Sequence, residues 1–120
     1  MDQYNLPKQF LKVGNLSILE ITLNKFINFN AFSVITVVIN KAHKTYLINI
    51  KKKYKNINFI NGGNNRQESS YYGLLHMHKK TNAKKVVIHD IVRPNLNDKL
   101  LKDVCSKLNK HNAIIPVINV

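Results

Sequence analysis

Ile57-Asn58-Phe59-Ile60-Asn61-Gly62-Gly63-Asn64-Asn65-Arg66-Gln67-Glu68-Ser69-Ser70-Tyr71-Tyr72-Gly73-Leu74 runs from a short apolar segment, through paired glycines, into a helix-forming stretch. Ile57–Ile60 reads as a strand, Asn61–Asn65 as a turn and Gln67–Lys79 as a helix. The same alternation extends in both directions. Val34–Ile39 is a continuous run rich in β-branched residues, the pattern of a strand buried on both faces. Ala42–Tyr54 fits a helix with a Lys-rich outer side. Lys85–His89 reads as another buried strand, Asn97 as the cap of a helix ending near Asn109, and Ala113–Ile118 as a closing strand. Upstream, Met1–Asn15 reads as a loop. Ser17 with Glu20 three residues later forms a capping-box pattern, and Leu19, Leu23, Phe26 and Ile27 mark the buried side of the helix that follows.

Strands alternating with helices predict an α/β fold, Rossmann-like, with a mainly parallel sheet. Ligands of such sheets bind beyond the carboxyl ends of the strands. The turns Asn61–Arg66 and Asp90–Pro94 both follow predicted strands, so the expectation is that they meet at one crevice. No repeat or linker divides the 120 residues, which read as a single domain spanning 1–120.

Composition narrows the function classes. No apolar run reaches the roughly 18 residues that a membrane span needs, and the polar start carries no apolar signal core, so a cytoplasmic protein is predicted. The lone Cys105 excludes an internal disulfide and a Cys-based zinc cluster. The net charge of +13 favours polyanionic ligands such as phosphates. It is not read as a nucleic-acid interface: the lysines are scattered among Asn and Ile, no basic stripe interleaved with aromatics is present, and the run Lys51-Lys52-Lys53 fits a solvated helix face. A non-catalytic, basic nucleic-acid-binding domain is the alternative from another class.

Against this Lys-rich background the two arginines, Arg66 and Arg93, stand out. Lysine replaces arginine easily on a surface, but not where a planar fork must hold phosphate or carboxylate at two points. Three motifs surround them. In Pro7-Lys8-Gln9-Phe10, a residue of fixed φ sets up Lys8, either a point charge for a triphosphate or an ordinary surface lysine. In Gly62-Gly63-Asn64-Asn65-Arg66-Gln67-Glu68-Ser69, the glycines allow close approach of backbone to a ligand, while Ser69 and the helix-start amides offer bonds to a base or phosphate; a tight turn with an N-cap is the other reading. In His89-Asp90-Ile91-Val92-Arg93-Pro94, Asp90 is either a Mg²⁺ or ribose ligand, with Arg93 on phosphate, or half of an ion pair that shapes the loop. His76 and His78 lie too far apart around a helix to share a metal.

Taken in order, Pro7-Lys8-Gln9-Phe10-Leu11, Gly62-Gly63 with Arg66-Gln67-Glu68-Ser69 and Gly73-Leu74, and Val87-Ile88-His89-Asp90 with Arg93-Pro94 resemble the 2-C-methyl-D-erythritol 4-phosphate cytidylyltransferases. Leu16–Phe26 and Ala113-Ile114-Ile115-Pro116-Val117 share the likeness. Ribitol-5-phosphate cytidylyltransferases carry the same motifs. The resemblance implies transfer of a cytidylyl group from CTP to a polyol phosphate, with Mg²⁺ and release of pyrophosphate, in a homodimer. It implies that Lys8 holds the triphosphate, that Gly63, Asn64 and Ser69 contact cytosine, that Asp90 lies by metal, ribose and acceptor, and that Arg93 orders its loop or a subunit contact. Gly62 and Arg66 complete the implied nucleotide site. The family also places a glycine-rich phosphate loop ahead of the Pro-Lys-Gln motif, and a dimerisation arm with a second metal-side Asp and a Lys toward the far end. This sequence starts at Met1 where that loop should be ending and stops at Val120 before the arm. Ile91 and Val92 replace small residues and Asn95 replaces an aromatic. The expectation is a fold incomplete at both ends and a truncated, inactive copy.

Overall fold

Ser17 and Glu20 form the reciprocal cap that their spacing predicts. The Glu20 amide donates to Ser17 Oγ at 3.2 Å, and Glu20 Oε2 accepts from both the Ser17 amide and the Ser17 hydroxyl at 2.9 Å. This starts helix α1, Ile18–Phe29, in a computed structural model that describes residues 5–116. Both capping side chains are buried, so the carboxylate takes its bonds where water cannot replace them. The helix ends at Asn30, whose φ of 57° is the left-handed conformation that asparagine tolerates.

The described residues fall into two compact units. The first joins the stretch through Ala31 to the stretch from Asp90 onward. In it a 3-10 turn at Lys8–Phe10 precedes strand β1, Lys12–Val13, which pairs antiparallel with β2, Leu16–Ser17. The two-residue connection begins with Gly14 at φ +67°, a conformation that a hairpin turn requires and a Cβ would strain. The segment predicted as a loop therefore contains a small hairpin that leads directly into α1. Helix α4, Asp98–Leu108, is capped by Asn97, whose Oδ1 accepts from the Leu100 amide at 2.8 Å. It packs against α1. Phe10, Leu19, Leu23, Leu96 and Leu101 are buried in this unit, while Phe26 and Ile27 are only half-buried.

The second unit, residues 32–89, contains the parallel pair. Strand β3, Thr36–Ile39, leads to helix α2, Lys44–Lys53, and then to strand β4, Asn58–Asn61. The register runs from Thr36 opposite Asn58 to Ile39 opposite Asn61. One further bond, from the Gly62 amide to the Ile39 carbonyl at 2.8 Å, closes the ladder on the first glycine of the turn. Val37 and Ile39 are buried, while Thr36 and Val38 are half-buried. Helix α3, Arg66–Lys80, packs on β3 through Gly73, where a Cβ would come within 3.1 Å of Val38 Cγ2. Leu47 and Ile50 form the buried side of α2. Its last turn carries Lys51, Lys52 and Lys53, all exposed, where cations suit the carboxyl end of a helix.

Two predicted strands are corrected. Lys85–His89 forms no ladder with any described residue, and Ile88 is 61% exposed. An apolar run becomes a strand only where a neighbour accepts its backbone bonds, and the described parallel ladder contains β3 and β4 alone. Likewise, Ala113–Pro116 is not a strand and Ile115 is exposed; the remainder of that predicted strand, 117–118, lies outside the described residues. No helix among the described residues is long and apolar enough to cross a membrane.

Candidate functional site

The glycine turn is set by its two flanking elements. The ladder bond fixes Gly62 at the exit of β4, and α3 begins four residues later with Asn65 as its cap. Asn65 Oδ1 accepts from the Glu68 amide at 2.8 Å. The Gly63 amide donates to Ser69 Oγ at 3.0 Å, so Ser69 bridges back to the turn from the first coil of the helix. Both glycines are needed for close approach: a Cβ on Gly62 would come within 2.7 Å of Ser69 Oγ, and one on Gly63 would overlap the side chain of Glu68. Gly62, Gly63, Asn64, Arg66 and Ser69 thus stand together around one strand-turn-helix junction. Asn64 and Arg66 are exposed, while Ser69 and both glycines are half-buried.

Lys8, Asp90 and Arg93 belong to the other unit. Pro7 accepts from the Phe10 amide at 2.9 Å, which closes the turn carrying Lys8; Phe10 is buried and Lys8 exposed. Asp90 shapes its own loop. Its Oδ1 accepts from the Val92 amide at 3.3 Å, its carbonyl accepts from the Arg93 amide at 3.1 Å, and its Oδ2 lies 3.7 Å from Arg93 Nε. The Arg93 side chain is 73% exposed, so solvent screens this pair and its contribution to stability is small. Because Lys85–His89 is not a strand, the Asp90 turn does not mark a strand exit as predicted.

Two residues not singled out from the sequence hold these turns. Thr22 on α1 is buried, and its hydroxyl donates to the Ile91 carbonyl at 2.8 Å, tying the Asp90 loop to the helix. Glu68 lies against Gly63 and accepts from the Tyr72 hydroxyl at 2.9 Å. Glu68 lies within the Gly62–Ser69 motif and is one of few acidic residues, both signals that could have drawn attention to it; nothing in the pattern around Thr22 distinguishes it from any other polar helix residue.

Among the described residues no group of three or more His, Cys, Asp or Glu could enclose a metal ion. Asp90 offers a single carboxylate. That fits the mode in which Mg²⁺ is held by one or two carboxylates together with substrate phosphates, and does not fit an all-protein cage. A cavity of about 340 Å³ in the second unit, lined by residues including Lys51, Tyr54, Phe59 and His76, includes none of the candidate site residues.

The family model described as 2-C-methyl-D-erythritol 4-phosphate cytidylyltransferase matches residues 2–120. A bifunctional IspD/IspF enzyme of Pelagibacter ubique is 38% identical over 114 residues, covering 95% of this chain and 30% of that protein. A 2-C-methyl-D-erythritol 4-phosphate cytidylyltransferase of Petrotoga mobilis is 38% identical over 98 residues, covering 76% of this chain and 41% of the relative. Among solved structures, the 4-diphosphocytidyl-2C-methyl-D-erythritol synthase of Anaerococcus prevotii superposes with a TM-score of 0.75 at 29% identity, covering 88% of this chain and 46% of its own. The chain therefore spans less than half the length of these relatives. The predicted α/β, Rossmann-like class agrees with that structural likeness and with the parallel β3–β4 pair. With the match running across both units and through all three motifs, the chain belongs to the 2-C-methyl-D-erythritol 4-phosphate cytidylyltransferase family.

Proposed function

We propose that this chain carries the nucleotide-handling part of a cytidylyl transfer in which CTP and 2-C-methyl-D-erythritol 4-phosphate give a CDP-linked polyol and pyrophosphate. The observation that carries the reading is the junction at Gly62–Ser69. A parallel strand ends on paired glycines, a helix start follows at once, and Ser69 ties the turn to that start. Such a junction presents backbone to a flat or anionic ligand with no side chain in the way. On this reading Gly63, Asn64 and Ser69 contact the cytosine, with Gly62 at the start of the turn. Arg66 stands at the same helix start as a two-point donor.

The acceptor's phosphate oxygen attacks the α-phosphorus in line, a new P–O bond forms, and the bond to the β-phosphate breaks as pyrophosphate leaves. The work asked of the protein is positioning and neutralisation of charge. Lys8 supplies a positive charge to the triphosphate. Asp90 would hold Mg²⁺, which when bound would supply neutralisation of the phosphates' negative charge. Arg93 orders the Asp90 loop or a contact with a second subunit of a homodimer. The two units are read as parts of a single nucleotidyltransferase domain, acting in the cytoplasm.

Titration of the chain with CTP and MgCl₂, followed by thermal unfolding, tests the proposal. CTP at about 100 times its Kd raises stability by about 2.7 kcal/mol. Lys8→Ala and Asp90→Asn each lower that gain, and UTP gives less. A folded chain whose unfolding temperature is indifferent to CTP would defeat the reading. Product formation with 2-C-methyl-D-erythritol 4-phosphate, measured beside ribitol 5-phosphate, assigns the acceptor.

A further inference from the structure

The two longest described helices use the same residue near their starts differently. Glu20 and Glu68 both occupy the third position of a helix that starts at a polar cap. In α1 the carboxylate turns back and closes the box on Ser17, as that position usually does. In α3 it does not. The Glu68 carboxylate reaches forward one turn and accepts from the Tyr72 hydroxyl at 2.9 Å, while its methylenes lie against Gly63 closely enough that a Cβ there would overlap them. The side chain is therefore not closing the cap; Asn65 alone does that, through the Glu68 amide.

We propose that Tyr72 and Glu68 form a latch that holds the Gly62–Gly63 turn in its ligand-receiving shape, which makes both of them positioning residues. This rests on the nucleotide reading given above. The physical case has three parts. A glycine pair is the most mobile backbone the chain can offer, and its freedom must be removed before it can bind anything tightly. The Ser69 hydroxyl restrains the Gly63 amide from one side. The Glu68 side chain forms a wall on the other, and a glutamate on a helix surface stays in one rotamer only if something holds its far end. Tyr72, four residues on, stands where an i,i+4 partner can do so, and its ring lies beside that of Tyr71 with centroids 6.0 Å apart. The bond has a spectroscopic signature. By accepting from the phenol, and by its negative charge, Glu68 holds the Tyr72 pKa above the ordinary 10.0; slight burial and the neighbouring Tyr71 act in the same direction.

The test uses Tyr72→Phe and Glu68→Gln in the whole chain, with no ligand present at first. Amide hydrogen exchange at Gly63 is expected to accelerate about two- to fivefold in Tyr72→Phe, the effect of one modest hydrogen bond, while the ladder amides of β3 and β4 keep their rates. The phenol absorbance of Tyr72 is expected to titrate nearer 10.0 in Glu68→Gln than in the wild type. Unchanged Gly63 exchange in both variants overturns the latch. In the second arm, Tyr72→Phe is expected to weaken CTP binding by about the same two- to fivefold. Faster exchange with unaltered CTP affinity overturns the positioning role. If the wild-type chain binds no CTP, the nucleotide reading falls and takes this purpose of the latch with it, while the exchange arm still decides whether the latch exists.

Discussion

Thr22 shows how far the identity of a residue is from its job. It lies mid-helix between Ile21 and Leu23, and its partner, the Ile91 carbonyl, is 69 positions away. Periodicity places such a threonine on or off a buried face; it does not say which distant carbonyl the hydroxyl will meet. Thr22 is buried and the bond is part-buried, so removing the donor while keeping the shape deprives the Ile91 carbonyl of its partner where water reaches it only in part. Thr22→Val is expected to destabilise the chain by about 1–3 kcal/mol in denaturant unfolding, with unchanged helix content in the far-ultraviolet. The arginines behaved otherwise. Their scarcity in a Lys-rich chain pointed to two loops from composition alone, and Arg93 does stand against Asp90 at 3.7 Å. Both carboxylate oxygens of Asp90 take part in shaping its loop, Oδ1 toward the Val92 amide and Oδ2 toward Arg93.

Elements with local causes were legible and those with distant causes were not. Ser17 with Glu20, Asn97 and the glycine pair each carry their instruction within a few residues, and the structure places α1, α4 and the β4–α3 turn where those signals put them. The helix limits moved by one or two residues, as at α3, where Arg66–Lys80 replaces the predicted Gln67–Lys79, and at α2, where Lys44–Lys53 replaces Ala42–Tyr54. Lys85–His89 differs because being a strand depends on a neighbour, and five apolar or basic residues in a row say nothing about who is beside them. The contact between α3 and β3 lies between these cases. Gly73 could be noticed in a helix, where glycine costs about 1 kcal/mol against alanine, but only the 3.1 Å approach to Val38 explains it. Gly73→Ala sets a gain in helix propensity against a tight contact that Val38 relieves by a few tenths of an ångström, and is expected to be nearly neutral. Gly73→Val adds bulk that cannot be absorbed in that way, and a loss of about 1–3 kcal/mol in thermal unfolding is expected.

At the scale of the whole molecule, net charge opposes the pull of unpaired strand edges and exposed apolar side chains. The net +13 keeps copies apart, but its reach is set by ionic strength: about 30 Å at 0.01 M and about 3 Å at 1 M. Meanwhile β3 and β4 each have a described neighbour on one side only, and Ile88 and Ile115 are exposed. Unpaired strand backbone is a template for another strand. Light scattering at fixed protein concentration is therefore expected to rise with added NaCl. A flat or falling signal between 0.01 M and 1 M salt would contradict this balance. The half-filled ladder has a practical side for anyone handling the protein. Crystallisation by salting-out would drive the chain toward fibrous or amorphous precipitate before a lattice could form, and polymer precipitants in dilute buffer are the better route to diffraction.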